Sequence, residues 1–114
     1  MSDKPIEDSV TEQLAQLRNI YVARLPAEFT ALNELANGLD KNELVRANLN
    51  ELHNRLHKLA GSGGTFGLVS LSARARIIEQ QIKALLAETF ESLDPKTCKQ
   101  LLTDIVSLST GNEI

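Results

Sequence analysis

The chain has one cysteine, Cys98, in 114 residues, so no disulfide can form within it. Proline and glycine are scarce, at three and six residues, which argues against a low-complexity or disordered chain. Uninterrupted apolar runs fall far short of the roughly 18 residues that span a bilayer, which excludes a transmembrane segment. Nothing apolar follows Met1-Ser2-Asp3-Lys4-Pro5, so no targeting leader is read there and a cytoplasmic protein is expected. Positive charge is also short, 12 basic against 15 acidic residues for a net charge of -3. That is the wrong sign for a chain that lives on phosphate backbones, and nucleic acid is excluded as a partner. The alternating pattern of a half-buried strand is missing, and so is a Gly-rich loop running into Lys and Ser or Thr that could cradle a nucleotide phosphate.

What is present is helical periodicity. A hydrophobic fraction of 42% and a length of 114 residues suit a single core and a single domain. Val10, Leu14, Leu17, Ile20, Tyr21 and Leu25 recur three and four apart, one face of a first helix. Pro26 suits a first helical turn, and Phe29, Leu32, Leu35 and Ala36 continue the pattern to Asn37-Gly38, which predicts a second, shorter helix or a kinked continuation. Asp40 with Glu43 reads as a capping box for a long helix whose stripe is Val45, Leu49, Leu52, Leu56 and Leu59. Gly61, Gly63, Gly64 and Gly67 crowd its far end, where the helix should fray or stop before a turn near Thr65-Phe66-Gly67. Leu68, Leu71, Ala75, Ile78, Ile82 and Leu85 form the cleanest stripe. A break at 92–95 then puts Asp94 and Pro95 at the head of a last helix carrying Cys98, Leu101, Leu102, Ile105 and Leu108 and ending at Gly111. Cys98, on that stripe, reads as a small core residue. Short connections imply antiparallel neighbours. The expected architecture is all-α, an up-down-up-down four-helix bundle with an additional N-terminal helix or helices, in which residues 1–8 are a loose tail and 9–111 the domain.

At 100° per residue, the core stripe of the long helix leaves His57 about a third of a turn from the buried direction, towards solvent. Ala60, Gly61 and Gly64 lie on its side ahead, His53 and Asn50 behind. Residues four apart on a helix are neighbours, so a long side chain at Gly61 would cover the imidazole, whereas glycine leaves an approach path. Mid-helix glycine costs about 1 kcal/mol against alanine, and close approach of a partner's backbone would account for its use here. An imidazole nitrogen can attack phosphorus, and with no nucleotide site in the chain the phosphoryl donor must come from elsewhere.

The run His57-Lys58-Leu59-Ala60-Gly61-Ser62-Gly63-Gly64-Thr65-Phe66-Gly67 resembles the signature of histidine phosphotransfer (HPt) domains of multistep phosphorelays: a His, a Gly four residues on, a small residue, and a Gly ten residues on. Leu68, Leu71 and Ala75 to Glu79 fit the helix that follows in that family. The resemblance implies a bundle with accessory N-terminal helices and a phosphorylated histidine at His57. It implies supporting roles for Lys58, which would help neutralise the phosphoryl charge, and for Gly61, which would provide access. His53, Ala60 and Gly64 would belong to the partner-docking face, and Ala60 stands where many members have lysine. The implied partners are response-regulator receiver domains and a hybrid sensor histidine kinase. The receiver brings the aspartate and the magnesium ion, and the chain itself needs no cofactor. It would act as a monomeric phosphocarrier without ATP-dependent kinase activity, not as an enzyme.

Two other readings compete. His53 and His57 have the i,i+4 spacing of a helical zinc pair, but Asn54 stands where a metalloprotease needs Glu and no third ligand is evident, so no metal is assigned. A bundle of this kind could also be an adaptor or inhibitor that docks a receiver or kinase without carrying phosphate. Arg74 and Arg76 read as a solvated face and are left out of the site.

Overall fold

A computed structural model describes residues 6–41, 44–90 and 92–110, with side chains from Ser9 onward. It contains four helices, α1 (Ile6–Asn37), α2 (Val45–Thr65), α3 (Val69–Leu86) and α4 (Pro95–Ser107), and no strand among the described residues. Each connection brings the chain back antiparallel. Tyr21 and Glu28 of α1 meet Ser62 and Arg55 of α2; Arg46 and His57 of α2 meet Leu86 and Glu79 of α3. Arg74 of α3 reaches Thr110 beyond α4, and Ala36 and Cys98 line one crevice between α1 and α4. This is the expected up-down-up-down bundle.

No separate accessory helix stands before the bundle among the described residues. α1 runs unbroken through Pro26 for 32 residues, so of the two readings, a second helix or a continuation, it is a continuation, and it starts at Ile6, inside the stretch expected as tail. Proline inside a helix costs about 3 kcal/mol, but Leu25, Phe29, Leu32 and Ala36 on either side of it all face the core. Their burial outweighs the lost hydrogen bond. The accessory element is the first half of α1, where Val10, Leu14, Leu17 and Ile20 stay about half exposed. α1 joins the bundle only where Tyr21 stacks on Phe66, with centroids 4.9 Å apart, and Arg18 Nε donates to the Phe66 carbonyl at 3.3 Å.

The start of α2 also departs from expectation. Its N-cap is Leu44, with no side-chain cap, and Asp40 lies exposed in the preceding turn; Glu43, the other half of the predicted capping box, lies outside the described residues, as does Gly111. At the other end α2 stops at Thr65, before the expected turn at Phe66-Gly67. It closes with Gly67 N–H donating to Gly64 O at 3.1 Å and Leu68 N–H to Gly63 O at 2.8 Å, a Schellman motif whose left-handed residue is Gly67, at φ 79°. A Cβ there would meet nothing within 4 Å, so a substitution is penalised by backbone conformation alone. Gly67→Ala is expected to destabilise the fold by roughly 1–2 kcal/mol, read as a lowered denaturation midpoint at unchanged slope.

The predicted head of α4 is present. Asp94 accepts from Lys96 N–H at 2.7 Å and Thr97 N–H at 3.2 Å, with Pro95 in the first turn. The Thr97 hydroxyl, followed by these amides, holds the Asp94 carboxyl below its ordinary range. Cys98 is buried in the core, and burial, reinforced by Asp40 and Asp94, pushes its thiol up. It packs in the core, as expected.

Candidate functional site

α2 and α3 pack more extensively than any other pair of helices, and the candidate site lies on this pair. Leu49, Leu52, Leu56, Leu59 and Gly63 of α2 and Leu71, Ala75, Ile78 and Ile82 of α3 face inward. Gly63 lies against the α3 backbone, where a Cβ would come into ordinary van der Waals contact with Ser72, 3.6 Å from its amide nitrogen. Ser72 Oγ then donates to the Ala60 carbonyl at 2.6 Å.

This approach decides where the predicted site residues go. His57 is in the open, with 72% of its side chain exposed. Gly61, one turn on, is exposed, and a Cβ there would find nothing within 4 Å. Gly64 is exposed too, with Ser72 Oγ 3.3 Å from a notional Cβ. Ala60 must be corrected. It is 2% exposed, so its side chain cannot be part of a docking face. The stripe reading treated α2 as buried along one line, whereas α3 covers a second flank and Ala60, one turn beyond Leu56, falls beneath it. Lys58 is exposed on the opposite flank, where it lines a groove between α1 and α2 with Arg24, Arg55 and Glu28. His53 is turned towards α3, with 26% of its side chain exposed.

The principal residue that sequence reasoning missed is Glu79. Its carboxylate is 10% exposed, and its Oε1 lies 2.8 Å from His57 Nδ1 and 3.6 Å from His53 Nε2. An ionised carboxylate can only accept, so Nδ1 donates and the lone pair of the neutral ring is left on Nε2. The sequence carried a signal for this. Glu79 stands four residues after Ala75 and three before Ile82, on the core stripe of α3, where an acid needs a partner. The 2.8 Å contact between Glu79 and His57 is a hydrogen bond, and among the described residues no group of three or more His, Cys, Asp or Glu is placed to hold a metal ion.

A second omission is the outer face of α3. Val69 and Ile77 are 68% and 59% exposed and, with Ala73, Arg76, Gln80 and Gln81, line a shallow groove that runs up to Gly64. Their spacing of four, off the core stripe, is visible in the sequence, and Arg76 sits in that groove. Apolar residues flanking an uncovered glycine face make a surface suited to another protein.

Compared with known proteins, residues 7–109 match the family model described as "Hpt domain". No curated protein and no solved structure gives a significant match. No helix among the described residues is long and apolar enough to cross a membrane.

Proposed function

Because the chain belongs to the Hpt domain family, whose members pass phosphoryl groups within phosphorelays, we propose that His57 Nε2 is the phosphoryl carrier in exchange with the aspartate of response-regulator receiver domains. The observation that carries this reading is the pairing of an open imidazole with a nearly buried carboxylate, His57 Nδ1 to Glu79 Oε1 at 2.8 Å. That contact directs the Nε2 lone pair to solvent, towards whatever docks over Gly61.

The chemistry balances without a proton transfer. The Nε2 lone pair attacks the phosphorus of the receiver's aspartyl phosphate, the N–P bond forms, and the P–O bond breaks with its electron pair leaving on the aspartate. The imidazole keeps its Nδ1 proton and becomes cationic as the bond forms. Glu79 stands where that charge develops, an electrostatic stabilisation already in place before reaction. In the reverse direction the N–P pair returns to Nε2 and leaves a neutral ring. Positioning by the docked receiver, which brings its own magnesium, supplies the rest. Lys58 adds positive potential on the α1 flank for an anionic phosphoryl group. The chain is thus a phosphocarrier with no kinase activity of its own, and the groove along Val69, Ala73 and Ile77 is the surface on which the receiver rests.

The test is incubation with a phosphorylated receiver domain. The chain should acquire phosphate that is labile to acid and stable to base, and failure to acquire any from a panel of receivers refutes the reading. Glu79→Gln separates charge from geometry, since the amide oxygen can still accept from Nδ1. Loss of a charge-assisted hydrogen bond worth roughly 1.5–3 kcal/mol should slow transfer by about tenfold or more, measured as the single-turnover rate at saturating receiver.

A further inference from the structure

Phosphoryl transfer as derived leaves His53 without a part. It stands one turn before His57 on α2, its ring lies within 10° of parallel to that of His57 with centroids 6.3 Å apart, and its Nε2 points at the same Glu79 oxygen from 3.6 Å. Resting on the carrier reading of His57, we propose that His53 is a positioning residue for the transfer: it aims Glu79 Oε1 at His57 Nδ1 and so maintains the tautomer in which Nε2 is the nucleophile.

The need for such a residue follows from the carboxylate. Glu79 reaches the site at the end of a flexible chain whose terminal torsion is broad, so rotamer preference does not fix the angle at which the carboxylate meets His57. A carboxylate with 10% exposure has little water to hold it and depends on the protein's own donors. The donors on α2 are the two imidazoles. At 3.6 Å the His53 contact is too long for a strong hydrogen bond, so its pull is electrostatic, from an N–H dipole in the neutral ring and from full charge in the protonated one. On the other side of the His53 ring, Nδ1 faces a second acceptor, Asn54 Oδ1, at 3.5 Å. The carboxylate is the stronger acceptor of the two, so it draws the neutral ring's one proton to Nε2, while the doubly protonated ring donates to both oxygens. His53 touches neither the reacting nitrogen nor the phosphoryl group and acts only through Glu79.

The test uses His53→Ala and His53→Gln in the full chain, with two readouts. The first needs no receiver: nitrogen-15 NMR of the His57 ring reports which nitrogen carries the proton. His53→Ala should shift this signal towards a mixture of tautomers, and His53→Gln, which keeps a donor, should bring it back towards wild type. The second is transfer from a phosphorylated receiver. His53→Ala should lower the maximal rate by about tenfold, the low end of what losing an outer-shell orienting group costs, at unchanged half-saturating receiver concentration, and His53→Gln should recover most of it. An unchanged His57 signal in His53→Ala overturns the proposal. So does a raised half-saturation at an unchanged maximal rate, which would make His53 a docking residue. If the wild-type chain accepts no phosphate, it is the carrier reading that fails, and the NMR result still decides what His53 does to the ring.

Discussion

Replacing His57 by glutamine is expected to abolish phosphate acceptance while leaving the bundle as stable as before. The side chain is 72% exposed, and among the described residues its polar contact is with Glu79. A glutamine amide can donate to the same carboxylate oxygen, so the buried acid keeps a partner and the unfolding free energy should move by no more than about 0.5 kcal/mol. What is lost is the nucleophile. The amide nitrogen's lone pair is delocalised into its carbonyl and cannot attack phosphorus, and no neighbouring group can replace it, since His53 lies beneath the site with its Nε2 directed at Glu79. Transfer assays beside thermal melts check both halves. A variant that acquired as much phosphate as the parent would remove His57 from the mechanism.

Gly61→Leu is expected to slow transfer on the order of 100-fold, the scale on which a small misplacement of reacting groups is felt, without damaging the fold. A Cβ at this position meets nothing within 4 Å, and leucine is a better helix former than glycine by roughly 0.5–1 kcal/mol, so the variant should melt higher. Its side chain, however, leans towards the preceding turn, as helical side chains do, and that turn carries His57. The receiver would then meet an isobutyl group where it now has a path to Nε2. Gly61→Ala separates the two effects: it should share the stabilisation and keep most of the rate. A Gly61→Leu chain that transfers at the parental rate would show that access over Gly61 does not matter.

The bundle was legible because its helices are written in the spacing of their leucines, and the HPt resemblance because His57, Gly61 and Gly67 stand in one continuous run. What was not legible depended on neighbouring helices. Pro26 reads as a boundary until Leu25 and Phe29 are seen to be buried on both sides of it. Of the four glycines read as a helix end, Gly67 does close α2, whereas Gly61 stays open and Gly63 is buried where α3 approaches. The same approach buries Ala60, which periodicity on α2 alone placed towards solvent. Glu79 reads in the sequence only as part of the helix that fits the family, and its role follows from the pairing of the two helices, which sets its carboxylate against the imidazole. In the first half of α1, the apolar spacing that marks a helix face says nothing of what covers it: Val10, Leu14, Leu17 and Ile20 stay about half exposed.

The most direct test of the central claim is to locate the phosphate. After incubation with a phosphorylated receiver, peptide mapping under neutral to basic conditions should find the modification on His57 alone, and nitrogen-15 NMR of the intact phosphorylated chain should place it on Nε2 with the proton retained on Nδ1. Phosphate on His53, on any other side chain, or on Nδ1 of His57 would contradict the account.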